Sequence, residues 1–324
     1  MTAQVPKASA LAGQRVFVTG GHGFLGQPTC QRLAQAGADV LAPTRARLDL
    51  LQMEPTCAAV EAARPQVIVH LAANVGGIGA NQRHPGAFWR DNLLMGVHVM
   101  EAARRAGVKR VVVVGTVCAY PKFTPVPFVE SSLWDGFPEE TNAPYGVAKR
   151  ALLTGLEAYR QEFGVGGAYL LPANMYGPHD DFDLETSHVI PAMLRKCEEA
   201  RLAGQHEVVL WGTGSATREF LYVDDCAEAL VLAAAGLDDP APINLGTGRE
   251  VSMRDLAAKV AAATGFTGAF RWDSTRPDGQ PRRALDARRA RKRLGWQAST
   301  TLEQGLSQAV TWYRAHGPHR ARVS

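Results

Sequence analysis

Long apolar runs are missing from this 324-residue chain. No stretch approaches the ~18 consecutive apolar residues that a membrane-spanning helix needs. The opening segment, Met1 to Gly13, holds no apolar core of signal-peptide length. We therefore expect a cytoplasmic protein with no membrane partner. Cysteine is scarce and irregularly placed: Cys30, Cys57, Cys118, Cys197 and Cys226 show no paired spacing. That argues against both a disulfide frame and a metal site and points to reduced thiols. Strong charge is lacking as well. A formal net charge of +4 suits a small anionic partner and is too weak to argue for nucleic acid. Much of the basic excess lies in Arg282, Arg283, Arg288, Arg289, Arg291, Lys292 and Arg293, which reads as a solvated helix face. No internal repeat or low-complexity segment is present.

What is there is a regular alternation. Val16-Phe17-Val18 is a short apolar run that ends at Thr19-Gly20-Gly21, the pattern of a buried strand stopping at a glycine-rich turn. Helical spacing then runs from Phe24 to about Ala36, and a second strand covers Asp39 to Ala42. Val67 to His70 and Arg110 to Gly115 repeat the strand pattern around a helix from Asn92 to Ala106. Such alternation predicts an α/β fold with a parallel sheet covered on both faces. Beyond Pro172 the texture changes. Gly177-Pro178-His179-Asp180-Asp181 reads as a loop, Val189 to Ala203 as a helix and Val208 to Trp211 as a strand. Pro240-Ala241-Pro242 reads as a connector before the strand Ile243-Asn244-Leu245, with short helices and a strand near Phe270 making up the remainder. We expect a dinucleotide-binding domain of residues 12–172 plus about 220–247. A smaller, discontinuous substrate lobe would take about 173–219 plus 248–324.

The glycine-rich turn carries the first chemistry. Gly20, Gly23 and Gly26 sit between the first strand and the first helix, with Phe24 and Leu25 inside the loop. A pyrophosphate needs a backbone that turns tightly and approaches closely, with free N–H groups at a helix start. The end of the second strand discriminates between cofactors, because an acid there would bind a ribose 2′-hydroxyl and a base a 2′-phosphate. Pro43-Thr44-Arg45-Ala46-Arg47 contains no acid, and Asp49 comes later, nearer an adenine. NADP(H) is favoured, with Arg45 as the phosphate partner, and NAD(H) stays open.

Tyr145 and Lys149 lie four apart, on one face of a helix. An ammonium beside a phenol lowers its pKa, so that Tyr145 can exchange a proton with a carbinol or ketone. The pair follows Gly115-Thr116-Val117-Cys118, where the Thr116 hydroxyl can help hold the reacting oxygen. Any of these residues read alone is an ordinary surface or core side chain; their arrangement argues for a site.

These segments resemble the extended short-chain dehydrogenase/reductases and, within them, the GDP-L-fucose synthase subfamily. The matching strings are His70-Leu71-Ala72-Ala73, Asn74-Val75-Gly76-Gly77-Ile78-Gly79-Ala80-Asn81 and Cys118-Ala119-Tyr120-Pro121-Lys122. Asn174-Met175-Tyr176-Gly177-Pro178, Ser187-His188-Val189-Ile190-Pro191-Ala192, Arg218-Glu219-Phe220, Val223-Asp224-Asp225 and Pro277-Asp278-Gly279 continue the match to Trp296. The resemblance implies a Rossmann-type doubly wound sheet and a GDP-sugar substrate. It also implies 3,5-epimerisation and C4 hydride transfer on a 4-keto-6-deoxyhexose, in a homodimer. On this reading Tyr145 is the acid at C4, Lys149 holds the nicotinamide ribose, Cys118 is the base beside the keto group and His188 the acid opposite it. Leu71, Ala72, Ala73, Pro172 and His188 would belong to the cofactor site, with Asn174 and Met175 lining its nicotinamide end. Asn174, Lys196, Trp211, Arg218 and Asp278 would contact the GDP-sugar, with no metal required.

The chain departs from that pattern at Thr116-Val117, where the subfamily has two serines, and at His22, where it has an arginine. Both lie near the ligands, so they bear on substrate and cofactor preference. Two other readings stay open at this point. A redox-neutral GDP-hexose epimerase or pyranose–furanose mutase would oxidise the sugar only transiently with bound NAD(P). A non-catalytic dinucleotide sensor would keep the glycine loop but have no use for Tyr145, Lys149, Cys118 and His188 together.

Overall fold

The computed structural model describes residues 5–276 and 279–317. In chain order the first half comprises β1 (Arg15–Thr19), α1 (Gly26–Gln35), β2 (Asp39–Leu41), α2 (Met53–Ala63), β3 (Val67–His70), α3 (Ile78–Arg83), α4 (Pro85–Arg105) and β4 (Arg110–Val114). Then come α5 (Ala143–Phe163), β5 (Gly166–Pro172), β6 (Asn174–Tyr176), α6 (Val189–Leu202), β7 (Glu207–Trp211), β8 (Thr217–Tyr222), α7 (Val223–Gly236) and β9 (Asp239–Leu245). The chain closes with β10 (Glu250–Ser252), α8 (Met253–Thr264), β11 (Ala269–Asp273), β12 (Arg282–Arg283), α9 (Arg288–Leu294) and α10 (Leu302–His316).

Six strands form one parallel sheet in the order β2-β1-β3-β4-β5-β9. Its central strands are buried on both faces, so their sequences are continuous apolar runs instead of alternating ones. The chain leaves β1 toward β2 and returns past it to β3. The carboxyl ends of β1 and β3 therefore flank a reversal of strand order, the place where such sheets hold ligands. A second unit is built from β6, β8, β10 and β12, from the β7–β11 pair, and from α6, α8 and α10. Its apolar cluster runs from Tyr176 to Tyr313 and is separate from the main core. Leu285, Ala290, Leu294 and Trp296 pack with the main core.

Several elements differ from the sequence reading. The helix read from Asn92 begins at Pro85, because proline at the first helical position forfeits only an N–H that has no intrahelical partner. The helix read from Phe24 begins at Gly26, after the loop has turned. Pro240 and Pro242 lie inside β9, not in a connector. They are tolerated because β9 is the sheet edge, and the pairing register shifts between Ala168 and Leu170 to pass them. The C-terminal helices α8 and α10 are 12 and 15 residues long, so the remainder is not short helices. The arginine run is not one solvated face. Arg282 and Arg283 form β12 beside Thr217 and Arg218, Arg289 donates to the Pro242 carbonyl at 2.7 Å, and Arg293 pairs with Asp239 at 2.7 Å. Among the described residues no helix is long and apolar enough to cross a membrane. All five cysteines are free thiols.

Candidate active site

Gly20 ends β1 with φ of +70°, in the left-handed region that glycine adopts without a Cβ penalty. A Cβ there would lie 2.7 Å from the Ala72 nitrogen, so glycine also lets the two strand ends close up. The Gly23 N–H bonds the Gly20 carbonyl at 2.9 Å, Phe24 and Leu25 complete the turn, and Gly26 opens α1. The result is a set of amides at a helix start, with Leu71 and Ala72 at the end of β3 packed against Gly20. Arg45 is exposed in the turn after β2, and Asp49, also exposed, accepts the Leu51 N–H. His22 lies on the same rim and contacts the Ala42 carbonyl at 2.9 Å.

The second wall comes from β4, β5 and α5. Thr116, at the end of β4, accepts the Cys118 N–H at 3.2 Å and caps the short turn Val117–Ala119. Val117 packs into the main core, so the position that loses a hydroxyl relative to the resembled pattern is a buried apolar one. Tyr145 and Lys149 sit on α5, one turn apart, with the Lys149 ammonium 6.0 Å from the Tyr145 ring centroid. Tyr145 packs with Ala80 and Phe88, and Cys118 packs against that cluster. Phenol and thiol are thus neighbours.

Electrostatics here follow burial. Lys149 is 2% exposed, and desolvation holds its ammonium down to about 8. Burial likewise raises the Tyr145 phenol, helped by Cys118 and opposed by a hydrogen bond with Thr116. The expectation that Lys149 lowers this phenol is therefore not met: at 6 Å the ammonium does not offset desolvation. His70, on β3, bonds Thr19 Oγ1 at 2.8 Å through Nδ1. Burial first, and the Lys149 charge second, push His70 down to about 3, which keeps it neutral.

His188 caps the start of α6, and its approach depends on glycine elsewhere. The Gly77 N–H bonds the Thr186 carbonyl at 2.9 Å, and a Cβ on Gly77 would lie 2.7 Å from the Ser187 carbonyl. Gly76 in turn faces Ala80 and Phe88. The Gly76-Gly77 segment therefore seats the His188 loop on the cluster that holds Tyr145 and Cys118. The His188 side chain is exposed. Desolvation lowers its pKa, and Asp181 opposes the shift.

The remaining positions lie on β5, β6, α6, β7 and β8. Pro172 ends β5, and Asn174 and Met175 follow on β6, paired with Phe220 and Leu221 of β8. Lys196 reaches from α6 to the Val209 carbonyl of β7 at 3.1 Å, and desolvation lowers its ammonium. At the end of β7 the Trp211 ring is exposed, with the Arg276 guanidinium 5.1 Å from its centroid. Arg218, on β8, bonds the Thr217 carbonyl at 2.7 Å. Asp278 lies outside the described residues. Three contributors went unread in the sequence. Tyr169 donates to the Lys149 carbonyl at 2.7 Å, the Arg283 Nη1 lies 3.5 Å from Cys118 Sγ, and Gln280 holds Arg283. The first hides in an apolar strand, Arg283 lies inside a charge run and Gln280 just before it, so no local signal exposes them.

Residues 16–246 match the NAD dependent epimerase/dehydratase family. The chain belongs to that family. This epimerase/dehydratase family member is 40% identical to the probable GDP-L-fucose synthase 1 of Oryza sativa subsp. japonica over 317 residues, spanning 97% of this chain and 96% of that protein. It is 36% identical to the GDP-L-fucose synthase of Escherichia coli (strain K12) over 313 residues, 94% of this chain and 97% of that one. Among solved structures, a GDP-L-fucose synthetase from Naegleria fowleri bound to NADP superimposes with a TM-score of 0.87 at 26% identity, covering 97% of this chain and 98% of that one.

Proposed function

We propose that the protein is a GDP-sugar epimerase/reductase of the GDP-L-fucose synthase type. It would take a GDP-4-keto-6-deoxyhexose, invert C3 and C5, and reduce C4 with NADPH. One observation carries this reading: the Cys118 thiol and the Tyr145 phenol pack against the same cluster, beside the buried Lys149. A plain ketone reductase needs the hydroxyl, phenol and ammonium; an epimerase also needs a base beside the keto group and an acid across the ring. The 36–40% identity to GDP-L-fucose synthases over nearly the whole chain supports the same reading.

The residues fit a dinucleotide. The cleft at Gly20 has no room for a Cβ, and the Lys149 ammonium is buried where ribose hydroxyls would meet it. The loop Gly20–Gly26 would hold the pyrophosphate, Arg45 the 2′-phosphate and Asp49 the adenosine side. Leu71, Ala72, Ala73, Pro172, Asn174, Met175 and His188 would enclose the nicotinamide half. When bound, NADPH supplies the hydride for C4. Lys196 and Arg218 would bind the diphosphate, Trp211 would offer its face to the base, and Asn174 and Asp278 would complete the substrate contacts.

The 4-keto group acidifies C3–H and C5–H. The Cys118 thiolate takes one of those protons, and the C–H electron pair moves onto O4 as an enolate held by the Thr116 and Tyr145 hydroxyls. The His188 imidazolium returns a proton to the opposite face, and thiol and imidazole recover their starting protonation by exchange with solvent before the second centre reacts. After both centres invert, Tyr145 gives its phenolic proton to O4 as C4 is reduced. A raised phenol pKa keeps that proton in place at neutral pH.

The test is a GDP-4-keto-6-deoxymannose incubation in D2O, with and without NADPH. We expect deuterium at C3 and C5 without cofactor and one NADPH oxidised per product with it. Product formed without net NADPH loss defeats the reductase reading. We further propose a cytoplasmic homodimer joined through α4 and α5, a reading supported by the exposed Trp89 and Leu94 on α4. Sedimentation at the monomer mass would refute the dimer.

A further inference from the structure

Arg283 was read from sequence as part of a solvated basic run, yet it is half-buried and faces the thiol. Its Nη1 lies 3.5 Å from Cys118 Sγ. Its Nε and Nη2 both donate to Gln280 Oε1, at 3.2 and 3.1 Å. Gln280 is 9% exposed and uses its own amide to donate to the Lys122 carbonyl at 2.7 Å. Lys122 lies four residues past Cys118, so the chain of bonds starts and ends on the segment that carries the thiol. The groups that orient this guanidinium are an amide oxygen and a sulfur, and among the described residues no carboxylate pairs with it. A cation fixed in that way still has its charge to offer.

Position adds to this. Arg283 lies on β12, in register with Arg218 of β8. The cation beside the thiol therefore arrives from the strand pair that carries a proposed diphosphate contact, whereas Cys118 arrives from the end of β4.

We propose that Arg283 is a positioning residue for the epimerisation half of the reaction. It supplies the counter-charge to the Cys118 thiolate and fixes the rotamer from which that thiolate reaches the C–H bond. Its planar fork lets Gln280 hold the orientation while one N–H stays on sulfur. Hydride transfer at C4 does not use that contact, so Arg283 divides the two halves of the reaction. This inference rests on the function proposed above, but its thiol contact can be read without any sugar.

The experiment compares the full-length protein with Arg283→Gln and Arg283→Lys by three readouts. The first is the rate of iodoacetamide alkylation at Cys118, followed by peptide mass spectrometry across pH, with Cys30 as internal reference. The second is deuterium uptake at C3 and C5 of the GDP-4-keto sugar without NADPH. The third is single-turnover NADPH formation from GDP-L-fucose and NADP+, which reports hydride transfer before any epimerisation. In Arg283→Gln we expect Cys118 alkylation at pH 7 to slow about tenfold and deuterium uptake about thirtyfold, with hydride transfer changed far less. Arg283→Lys should recover part of the first two. Equal loss in all three readouts with a lowered Tm in both variants would make Arg283 a structural tie and overturn the proposal. Unchanged Cys118 alkylation and deuterium uptake would overturn it as well. Slower alkylation in a protein inert toward every GDP-sugar would sink the proposed function and, with it, the epimerisation role, while leaving the Arg283–Cys118 contact standing.

Discussion

The Tyr169 hydroxyl of β5 donates to the Lys149 carbonyl of α5 at 2.7 Å, fixing the turn of helix that presents the ammonium to the cleft. Tyr169 is fully buried and touches no proposed ligand position, so its effect is indirect. Tyr169→Phe removes one buried hydrogen bond, leaving the carbonyl its intrahelical one. We expect a loss of about 1 kcal/mol, a Tm lower by about 2 °C, and a cofactor KM raised about threefold. Thermal unfolding and steady-state kinetics check this; a KM unchanged at the lower Tm would show that the bond does not position Lys149.

Gly77 tests the seating of His188. Gly77→Ala places a methyl 2.7 Å from the Ser187 carbonyl, which is backbone and has to move. Deuterium uptake by the 4-keto sugar should fall by about tenfold or more, a ~1.4 kcal/mol change or larger, with hydride transfer less affected. Equal rates in mutant and wild type would show that the loop adjusts freely.

The buried Lys149 ammonium makes two pH dependences run in opposite directions. The native protein sheds this proton near pH 8, against an ordinary value of 10.5, while the unfolded chain keeps it until about 10.5. Between those values the unfolded state binds more protons, so this group adds stability as pH rises and carries its full burial penalty below pH 8. Activity should do the reverse, because the ammonium is the form that meets ribose hydroxyls and supports Tyr145. The pH profile of kcat/KM for NADPH should fall above about pH 8. Lys149→Met should be inactive and should gain most in stability, relative to wild type, at neutral pH and least near pH 10. Denaturant unfolding at both pH values measures the second effect; a pH-independent difference would refute it.

Arg45 stands exposed past the end of β2 with no acid beside it in the turn. Arg45→Ala should raise the KM for NADPH by about tenfold, the loss of a charge-assisted phosphate contact of ~1.4 kcal/mol, and leave the KM for NADH nearly unchanged. Equal changes for both cofactors would move the 2′-phosphate contact elsewhere, with His22 the next position to vary.

The chain was readable where one segment alone decides the structure. Val16–Val18, Val67–His70 and Arg110–Val114 are apolar throughout because both sheet faces are covered, and the glycine loop needs only its own residues to turn. It was opaque where a partner far along the chain decides. The prolines of β9 are compatible with a strand only at an edge, and edge position is a property of the whole sheet. β12 is two residues long and exists through its pairing with β8. A run of arginines says nothing about which one turns inward, so Arg283 was read with its solvated neighbours. The Tyr145 phenol was misjudged for a related reason: spacing along a helix shows that Lys149 is near, but not that burial outweighs it.

The outer margin of β9 has a consequence for how copies of this chain can meet. Pro240 and Pro242 offer no N–H, the Asn244 N–H is taken by the Glu130 carboxylate at 3.0 Å, and the Pro242 carbonyl is taken by Arg289. A seventh strand would find no ladder to join on that side without displacing those bonds. Association through continuous sheets is blocked along this edge, so subunits that meet on the β9 side do so through side chains.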